Sequence, residues 1–150
     1  AVYDDDINII GTHDELESSA KYLMKNFKMK DLGKTKFCIG LQFEHLNDGI
    51  FVHQTTYTRR IIQRFNMSKS YPVKTPMVVR TLDTEKDIFR PREDNENILG
   101  PRIPYLSAIG ALMYLANNTR PDIAFSVNLI ARHSSAPTRR HWNGIKHLLR

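Results

Sequence analysis

The sequence predicts an α+β fold, in which short strands lie near the start of the chain and helices make up most of the rest. Phe37, Ile39, Leu41 and Phe43 alternate with other residues, as in a half-buried strand. Later in the chain, apolar residues return at intervals of three and four over several stretches, as in amphipathic helices. A chain of 150 residues with 41% hydrophobic content is long enough to form an ordinary core.

The chain opens with three carboxylates, Asp4, Asp5 and Asp6, between β-prone residues. We expect a turn at Asp5 and Asp6, because adjacent side chains of a regular strand point to opposite faces, whereas those at a hairpin bend can share a ligand. Two unit charges about 4 Å apart repel by roughly 4 kcal/mol at an effective dielectric of about 20. The cluster must therefore be solvated or neutralised by cations, and Mg²⁺ prefers such oxygen ligands.

A helix over roughly residues 13–29 is expected next, because Thr12 and Glu15 have the spacing of a capping box. Its apolar stripe, expected to be buried, consists of Leu16, Ala20, Leu23, Met24 and Phe27. Residues 36–45 and 50–53 are expected to form a hairpin across the turn sequence Asn47-Asp48-Gly49.

A short helix is expected from residue 56, with an apolar stripe formed by Tyr57, Ile61, Ile62 and Phe65. Its remaining surface carries Arg59, Arg60 and Arg64. Residues 68–104 contain five prolines and many charged residues, which predicts an extended, mobile connector. Residues 83–100 are expected to lack regular structure.

Three further helices are expected to follow this connector. Pro104 marks the start of the first, Thr119, Pro121 and Asp122 that of the second, and Pro137 and Thr138 that of the third. Their apolar stripes, which include Trp142, are predicted core positions. The six histidines show no zinc spacing with cysteine and are expected at the surface.

The net charge of +6 is unevenly distributed, since residues 120–150 carry six basic side chains against the single acid Asp122. A basic balance favours polyanionic partners. The single cysteine, Cys38, excludes an internal disulfide, predicts an intracellular protein and is expected to be a small buried hydrophobe. No apolar run has the roughly 20 residues of a membrane span, and Ala1 suggests that the chain begins inside a larger protein.

The motif Tyr3-x-Asp5-Asp6, followed by an apolar strand, resembles the catalytic hairpin of reverse transcriptases. Further blocks run in family order over nearly all of the chain and are similar to the copia-type retrotransposon reverse transcriptase of a Pol polyprotein. These blocks are Asp31-Leu32-Gly33, Phe37-x-Ile39-Gly40-Leu41, Gln54-x-x-Tyr57, Thr75-Pro76-Met77, Tyr105-x-x-Ala108-Ile109-Gly110-x-Leu112-Met113-Tyr114-Leu115 and Thr119-Arg120-Pro121-Asp122-Ile123-Ala124.

The resemblance implies a partial RNA-directed DNA polymerase domain that begins with the C-terminal part of the palm. The palm remainder, which contains the catalytic hairpin, a helix and a β-hairpin, would occupy residues 1–54. A thumb-like helix would occupy residues 55–77, a connector residues 78–103, and a connection-like helical segment residues 104–150.

In the family pattern, Asp5 and Asp6 are catalytic and hold Mg²⁺ or Mn²⁺, while a primer 3′-hydroxyl attacks the α-phosphate of a nucleotide. Tyr3 and the arginines Arg59, Arg60 and Arg64 would contact nucleic acid. The implied partners are an RNA or DNA primer-template, a deoxynucleoside triphosphate and the remainder of the Pol polyprotein, which includes the fingers, a first palm aspartate and ribonuclease H. No membrane partner is expected, and the implied location is the cytoplasm, within virus-like particles, with the nucleus as the alternative.

Two departures from the family pattern favour a second interpretation. Asp4 stands where the family commonly has valine, and a carboxylate there would repel phosphate and perturb the pKa values of its neighbours. The first palm aspartate and the fingers are not among these 150 residues, so this chain is expected not to polymerise alone. The alternative is a catalytically inactive, non-enzymatic transposon remnant with residual nucleic-acid binding.

A calcium loop that begins at Asp4 is a rival explanation of the acidic run. Asp4, Asp6, Asn8 and Glu15 have suitable spacing for such a loop. However, Ile9 occupies the position at which an EF-hand requires glycine for its sharp turn, which disfavours this reading.

Overall fold

A computed structural model describes residues 2–3, 6–78, 83 and 85–150. The chain divides into two compact units, Ala1–Phe51 and Val52–Arg150. In chain order the described elements are β1 (Val2–Tyr3), β2 (Asp6–Ile7), α1 (His13–Asn26), β3 (Phe37–Cys38), β4 (Leu41–His45), β5 (Ile50–His53), α2 (Thr55–Arg64), α3 (Tyr105–Asn118), a 3₁₀ helix (Pro121–Ile123), α4 (Ala124–Ala131) and α5 (Arg139–Leu148). The predicted α+β class is confirmed.

Strands β1 and β2 form an antiparallel pair in which Val2 lies opposite Ile7 and Tyr3 lies opposite Asp6. The expected turn at Asp5 and Asp6 is corrected for Asp6, which belongs to strand β2 and pairs with Tyr3. Asp4 and Asp5 themselves lie outside the described residues.

The single strand predicted over residues 36–45 is wrong, because the chain reverses within it. Ile39 and Gly40 have positive φ angles of 48° and 73°, and they join β3 to β4 in a tight antiparallel hairpin. Two consecutive residues with positive φ match the twist of such hairpins. The second turn was predicted correctly, since the Leu46 amide donates to the Gly49 carbonyl at 2.8 Å between β4 and β5.

Helix α1 begins at the predicted cap, where both the amide and the hydroxyl of Thr12 donate to Glu15 Oε2, at 3.0 and 2.8 Å. It ends at Asn26, earlier than predicted. Its apolar stripe is not buried, since Phe27 is 59% and Met24 44% exposed. A unit of about 50 residues buries a smaller fraction of its surface than a larger domain does, and all described residues that are buried lie in the second unit.

The core of the second unit is built by α3, α4 and α5, with α2 packed against them. The predicted stripes of the last three helices are confirmed by the burial of Tyr105, Ile109, Leu112, Ala116, Ile123, Val127, Ile130, Trp142, Ile145 and Leu149. The rings of Tyr57 on α2 and Tyr114 on α3 meet edge to face, with centroids 4.9 Å apart.

The connector has no helix or strand among its described residues apart from a bridge between Ile98 and Thr138, but it packs against the core. Phe89 is 5% exposed, and the Leu99 amide donates to the Pro137 carbonyl at 2.8 Å. The chain from Met67 to Ile103 thus contacts the helical core at several points.

Two local predictions for the helical segment are corrected. Thr119 does not cap α4; it ends α3, and a 3₁₀ turn precedes α4. Asp122 instead pairs with the Arg120 guanidinium at 2.8 Å. His141, expected at the surface, is fully buried. None of the helices described is long and apolar enough to cross a membrane.

Candidate functional site

The hairpin of β1 and β2 places two residues of the acidic motif opposite each other. Tyr3 and Asp6 are paired residues, and only two residues, Asp4 and Asp5, connect them. Paired Cα atoms in antiparallel strands lie about 4.5–5.5 Å apart. The candidate residues Tyr3 and Asp6 are thus brought together by the backbone, whereas the candidate Asp5 is outside the described residues.

Consecutive carboxylates at a hairpin bend are a suitable donor set for a hard divalent cation, which completes its coordination with water or phosphate oxygens. Among the residues that the structure describes, no group of three or more His, Cys, Asp and Glu side chains could hold a metal. The candidate metal site is the sequence run Asp4, Asp5 and Asp6, which follows β1 and ends in its paired strand β2.

Asn8 anchors the chain immediately after the hairpin. Its Oδ1 accepts a hydrogen bond from the Thr35 hydroxyl at 2.8 Å, and its Nδ2 donates to Cys38 Sγ at 3.2 Å. Cys38, expected to be buried, is half-buried. Sequence reasoning missed this role of Asn8. The signal was its side-chain amide, which is the one polar side chain in the run from Ile7 to Ile10.

The three candidate arginines lie on the exposed side of α2. Arg59, Arg60 and Arg64 are exposed, and none makes an ion pair within the part of the chain that is described. Arg60 and Arg64 are one turn apart and so share a face. The opposite side of α2 is fixed by Ile61, which is 4% exposed. The helix therefore presents concentrated positive charge that forms no ion pair with any acid among the described residues.

The residue before α2, Gln54, is buried and helps to fix this helix. Its Oε1 accepts a hydrogen bond from the Thr119 hydroxyl at 2.8 Å, which links the start of α2 to the end of α3. Its Nε2 has no hydrogen-bond partner among the described residues. The arginines thus sit on a helix that is held at its first turn. The acidic hairpin and the arginines belong to different units.

A stacked pair of histidines, of which His141 is buried and His133 half-buried, was missed by sequence reasoning. His141 Nδ1 accepts the Thr138 amide hydrogen at 3.0 Å, and Nε2 lies 3.1 Å from the Arg90 carbonyl. These partners require the tautomer with the proton on Nε2. The His133 ring stacks on His141 at 4.1 Å between centroids. Burial lowers the pKa of both histidines, so the neutral forms are favoured and the pair holds the start of α5.

Comparison with known proteins gives consistent results. Residues 1–79 match a family model described as reverse transcriptase (RNA-dependent DNA polymerase). The retrovirus-related Pol polyprotein from transposon TNT 1-94 of Nicotiana tabacum is 35% identical over 99% of this chain, which covers 11% of that protein. The Pol polyprotein from transposon RE2 of Arabidopsis thaliana is 31% identical over 99% of this chain, which covers 10% of that protein.

An uncharacterized mitochondrial protein of Arabidopsis thaliana is 30% identical over 99% of this chain, and the matched part covers 58% of that protein. No solved structure matches the chain. The chain spans about a tenth of the length of the Pol polyproteins that it resembles. The resemblance predicted from the sequence is confirmed.

Proposed function

The chain belongs to the reverse transcriptase family, and we propose that it forms part of an RNA-directed DNA polymerase of a copia-type retrotransposon. The observation that carries this proposal is the antiparallel pairing of Tyr3 with Asp6, the first and last residues of the Tyr-x-Asp-Asp motif. Similarity to Pol polyproteins over 99% of the chain is consistent with a place within a larger protein.

In this proposal, the first unit is the C-terminal part of the palm. Asp5 and Asp6 would hold Mg²⁺ or Mn²⁺, and the bound ion would supply Lewis-acid chemistry, which lowers the pKa of a hydroxyl and neutralises phosphate charge. Tyr3, whose backbone pairs with that of Asp6, contacts nucleic acid. The chemistry is transfer of a nucleotide from a deoxynucleoside triphosphate to a primer 3′-hydroxyl on an RNA or DNA template, with pyrophosphate as the leaving group.

The proposed role of α2 is that of a thumb-like helix on the nucleic-acid backbone. Arg59, Arg60 and Arg64 are exposed and lack acidic partners among the described residues, so their charge is available to phosphates. Lysine and arginine contacts to phosphate position a duplex without reading its sequence. The connector and the helices α3 to α5 then follow as connection-like elements, and the proposed location is cytoplasmic.

This chain alone is proposed to lack polymerase activity, because the family requires a further palm aspartate and fingers that these 150 residues do not supply. A second candidate function, a non-enzymatic transposon remnant, is favoured by Asp4, whose charge lies between Tyr3 and the aspartate pair. Repulsion by that carboxylate opposes phosphate binding at the hairpin.

Calorimetry separates the two candidates. Mg²⁺ and Mn²⁺ are titrated into the chain, into Asp5→Asn and into Asp4→Val at low salt, with and without a primer-template duplex. The polymerase proposal expects binding that Asp5→Asn abolishes and that Asp4→Val strengthens in the presence of duplex. The same small heat for all three proteins would overturn it and leave the remnant.

A further inference from the structure

One loop of the connector, residues 87–99, is fastened to α5 through its backbone carbonyls, and we call it the strap. The Arg140 guanidinium donates to the Pro91 carbonyl at 2.7 Å, and His141 Nε2 donates to the Arg90 carbonyl at 3.1 Å. Arg140 and His141 are adjacent in α5. Two neighbouring side chains of one helix therefore hold two neighbouring carbonyls of the strap.

The strap also covers apolar parts of the helical core. Phe89 is buried, and the Leu99 amide donates to the Pro137 carbonyl at 2.8 Å. Ile88 and Phe89 help to line a cavity of about 760 Å³, to which the buried side chain of Ile130 also contributes. Release of the strap would therefore uncover apolar surface of the core.

Protonation of His141 is incompatible with the bonds that its ring makes. Nδ1 accepts the Thr138 amide hydrogen at 3.0 Å, so a proton on Nδ1 would face an N–H group. His141 is also the third residue of α5, where the helix dipole disfavours positive charge. The neutral ring is therefore required for the helix cap and the strap contact to exist together.

The surroundings of His141 compensate little of an added positive charge. The His133 ring stacks on it with centroids 4.1 Å apart, and two protonated rings at that distance repel each other. The charged groups that face the two rings are Arg132 at the end of α4, Arg140 in α5, and Asp87 and Glu96 in the strap. Both acids are already engaged, because Glu96 accepts from Arg140 at 2.6 Å and Asp87 Oδ1 accepts a backbone amide hydrogen at 2.9 Å.

We propose that His133 and His141 form a proton-operated latch, which holds the strap at neutral pH and releases it at about pH 5 while the helical core stays folded. Burial lowers the pKa of both rings, so their neutral forms predominate while the strap is closed. In the released state the rings return toward the ordinary pKa of about 6.5, so this state binds more protons. The latch is therefore closed above that pH and loses its stability as the pH falls.

Hydrogen exchange measured by NMR at about pH 7.5 and about pH 5 tests the latch, with rates expressed as protection factors so that the intrinsic effect of pH cancels. The Leu99 amide reports on the strap, and the Leu112 amide, inside α3, reports on the core. The proposal expects the protection factor of Leu99 to fall at least about tenfold at the lower pH. It also expects Leu99 to be at least about tenfold less protected than Leu112 at that pH, because the strap opens without the core.

Two double variants show whether the histidines carry the effect. The latch variant combines His133→Gln with His141→Gln, and the control combines His13→Gln with His147→Gln, which lie outside the latch. Glutamine at position 141 can accept the Thr138 amide hydrogen and donate to the strap, but it cannot be protonated. In the latch variant the protection factor of Leu99 should change less than about threefold with pH, whereas the control should respond as the unaltered chain does.

Three results would overturn the proposal. The first is a Leu99 protection factor that does not change with pH in the unaltered chain. The second is equal protection of Leu99 and Leu112 at the lower pH, which would mean that the strap opens only when the core unfolds. The third is the same pH dependence in the latch variant and the control. The first two comparisons need no variant, so the proposal can fail even if the latch variant does not fold.

Discussion

Replacing Gly144 by alanine tests how the connector packs against the helical core. A Cβ atom at Gly144 in α5 would lie 2.6 Å from Phe89 Cε1 and 2.8 Å from Ile130 Cδ1. Both distances are shorter than real Cβ contacts, and both neighbours are buried, at 5% and 1% exposure. The substitution must therefore displace the Phe89 ring or separate α5 from α4.

The expected magnitude follows from two opposing effects. Overpacking of a core costs about 1–3 kcal/mol, whereas alanine in a helix interior is more favourable than glycine by about 0.5–1 kcal/mol. Gly144→Ala should thus lower the free energy of unfolding by up to about 2.5 kcal/mol. Gly110→Ala in α3 is the matched control, because nothing lies within 4 Å of its added Cβ, and it should stabilise the unit by up to about 1 kcal/mol.

Urea unfolding monitored by tryptophan fluorescence measures both variants. Trp142 is the single tryptophan, is 8% exposed and lies edge to face with Phe65 at 6.4 Å, so its emission reports on this core. With slopes of about 1–3 kcal/mol per molar urea, the two midpoints should differ by roughly 1 M. A Gly144→Ala protein as stable as Gly110→Ala would refute the packing of Phe89 on α5.

Three further predictions concern the second unit. Burial lowers the pKa of His141 below 6.5, so the unfolded chain binds more protons than the folded chain. The free energy of unfolding should therefore fall as the pH drops from about 7 to about 5. His141→Gln should flatten this pH dependence in urea titrations. Tyr105→Phe removes a buried 2.8 Å hydrogen bond to the Ile130 carbonyl and should cost about 1 kcal/mol in the same assay, whereas an unchanged midpoint would contradict that bond. Replacing Arg59, Arg60 and Arg64 by glutamine should reduce the slope of log affinity for duplex DNA against log salt by about 2–3. In the control, the exposed residues Arg102, Arg132 and Arg139 are replaced by glutamine, and the slope of log affinity against log salt should stay that of the unaltered chain. Equal slopes in the two variants would count against α2 as the helix that contacts the duplex.

Local sequence rules predicted the elements that depend on neighbours in the chain. The cap formed by Thr12 and Glu15 and the start of α5 at Thr138 were predicted in this way, and both are confirmed. The stripes of α3, α4 and α5 were predicted because each helix buries one face against the others. By contrast, the turn at Ile39 was missed, because a β-branched residue rarely adopts a positive φ.

The remaining errors concern contacts between residues far apart in the sequence. Phe89 lies in a charged, proline-rich stretch, and its burial depends on the absence of a side chain at Gly144. His141 is buried because Arg90, about fifty residues earlier, supplies a carbonyl for its ring. The exposure of Phe27, the residue that follows α1, likewise has no local signal, since the apolar stripe to which it was assigned is amphipathic. Periodicity specifies a face, but the partner for that face is set by tertiary structure.

Paramagnetic NMR with Mn²⁺ tests the proposal that the acidic hairpin is a polymerase metal site. Amide signals are recorded for the chain and for Asp5→Asn with increasing Mn²⁺. We expect selective broadening of the amides of Tyr3, Asp6 and Ile7, which flank Asp4 and Asp5 in the sequence, and loss of that broadening in Asp5→Asn. Broadening centred instead on the acids of α1, or unchanged by Asp5→Asn, would contradict the assignment of this hairpin as the metal site.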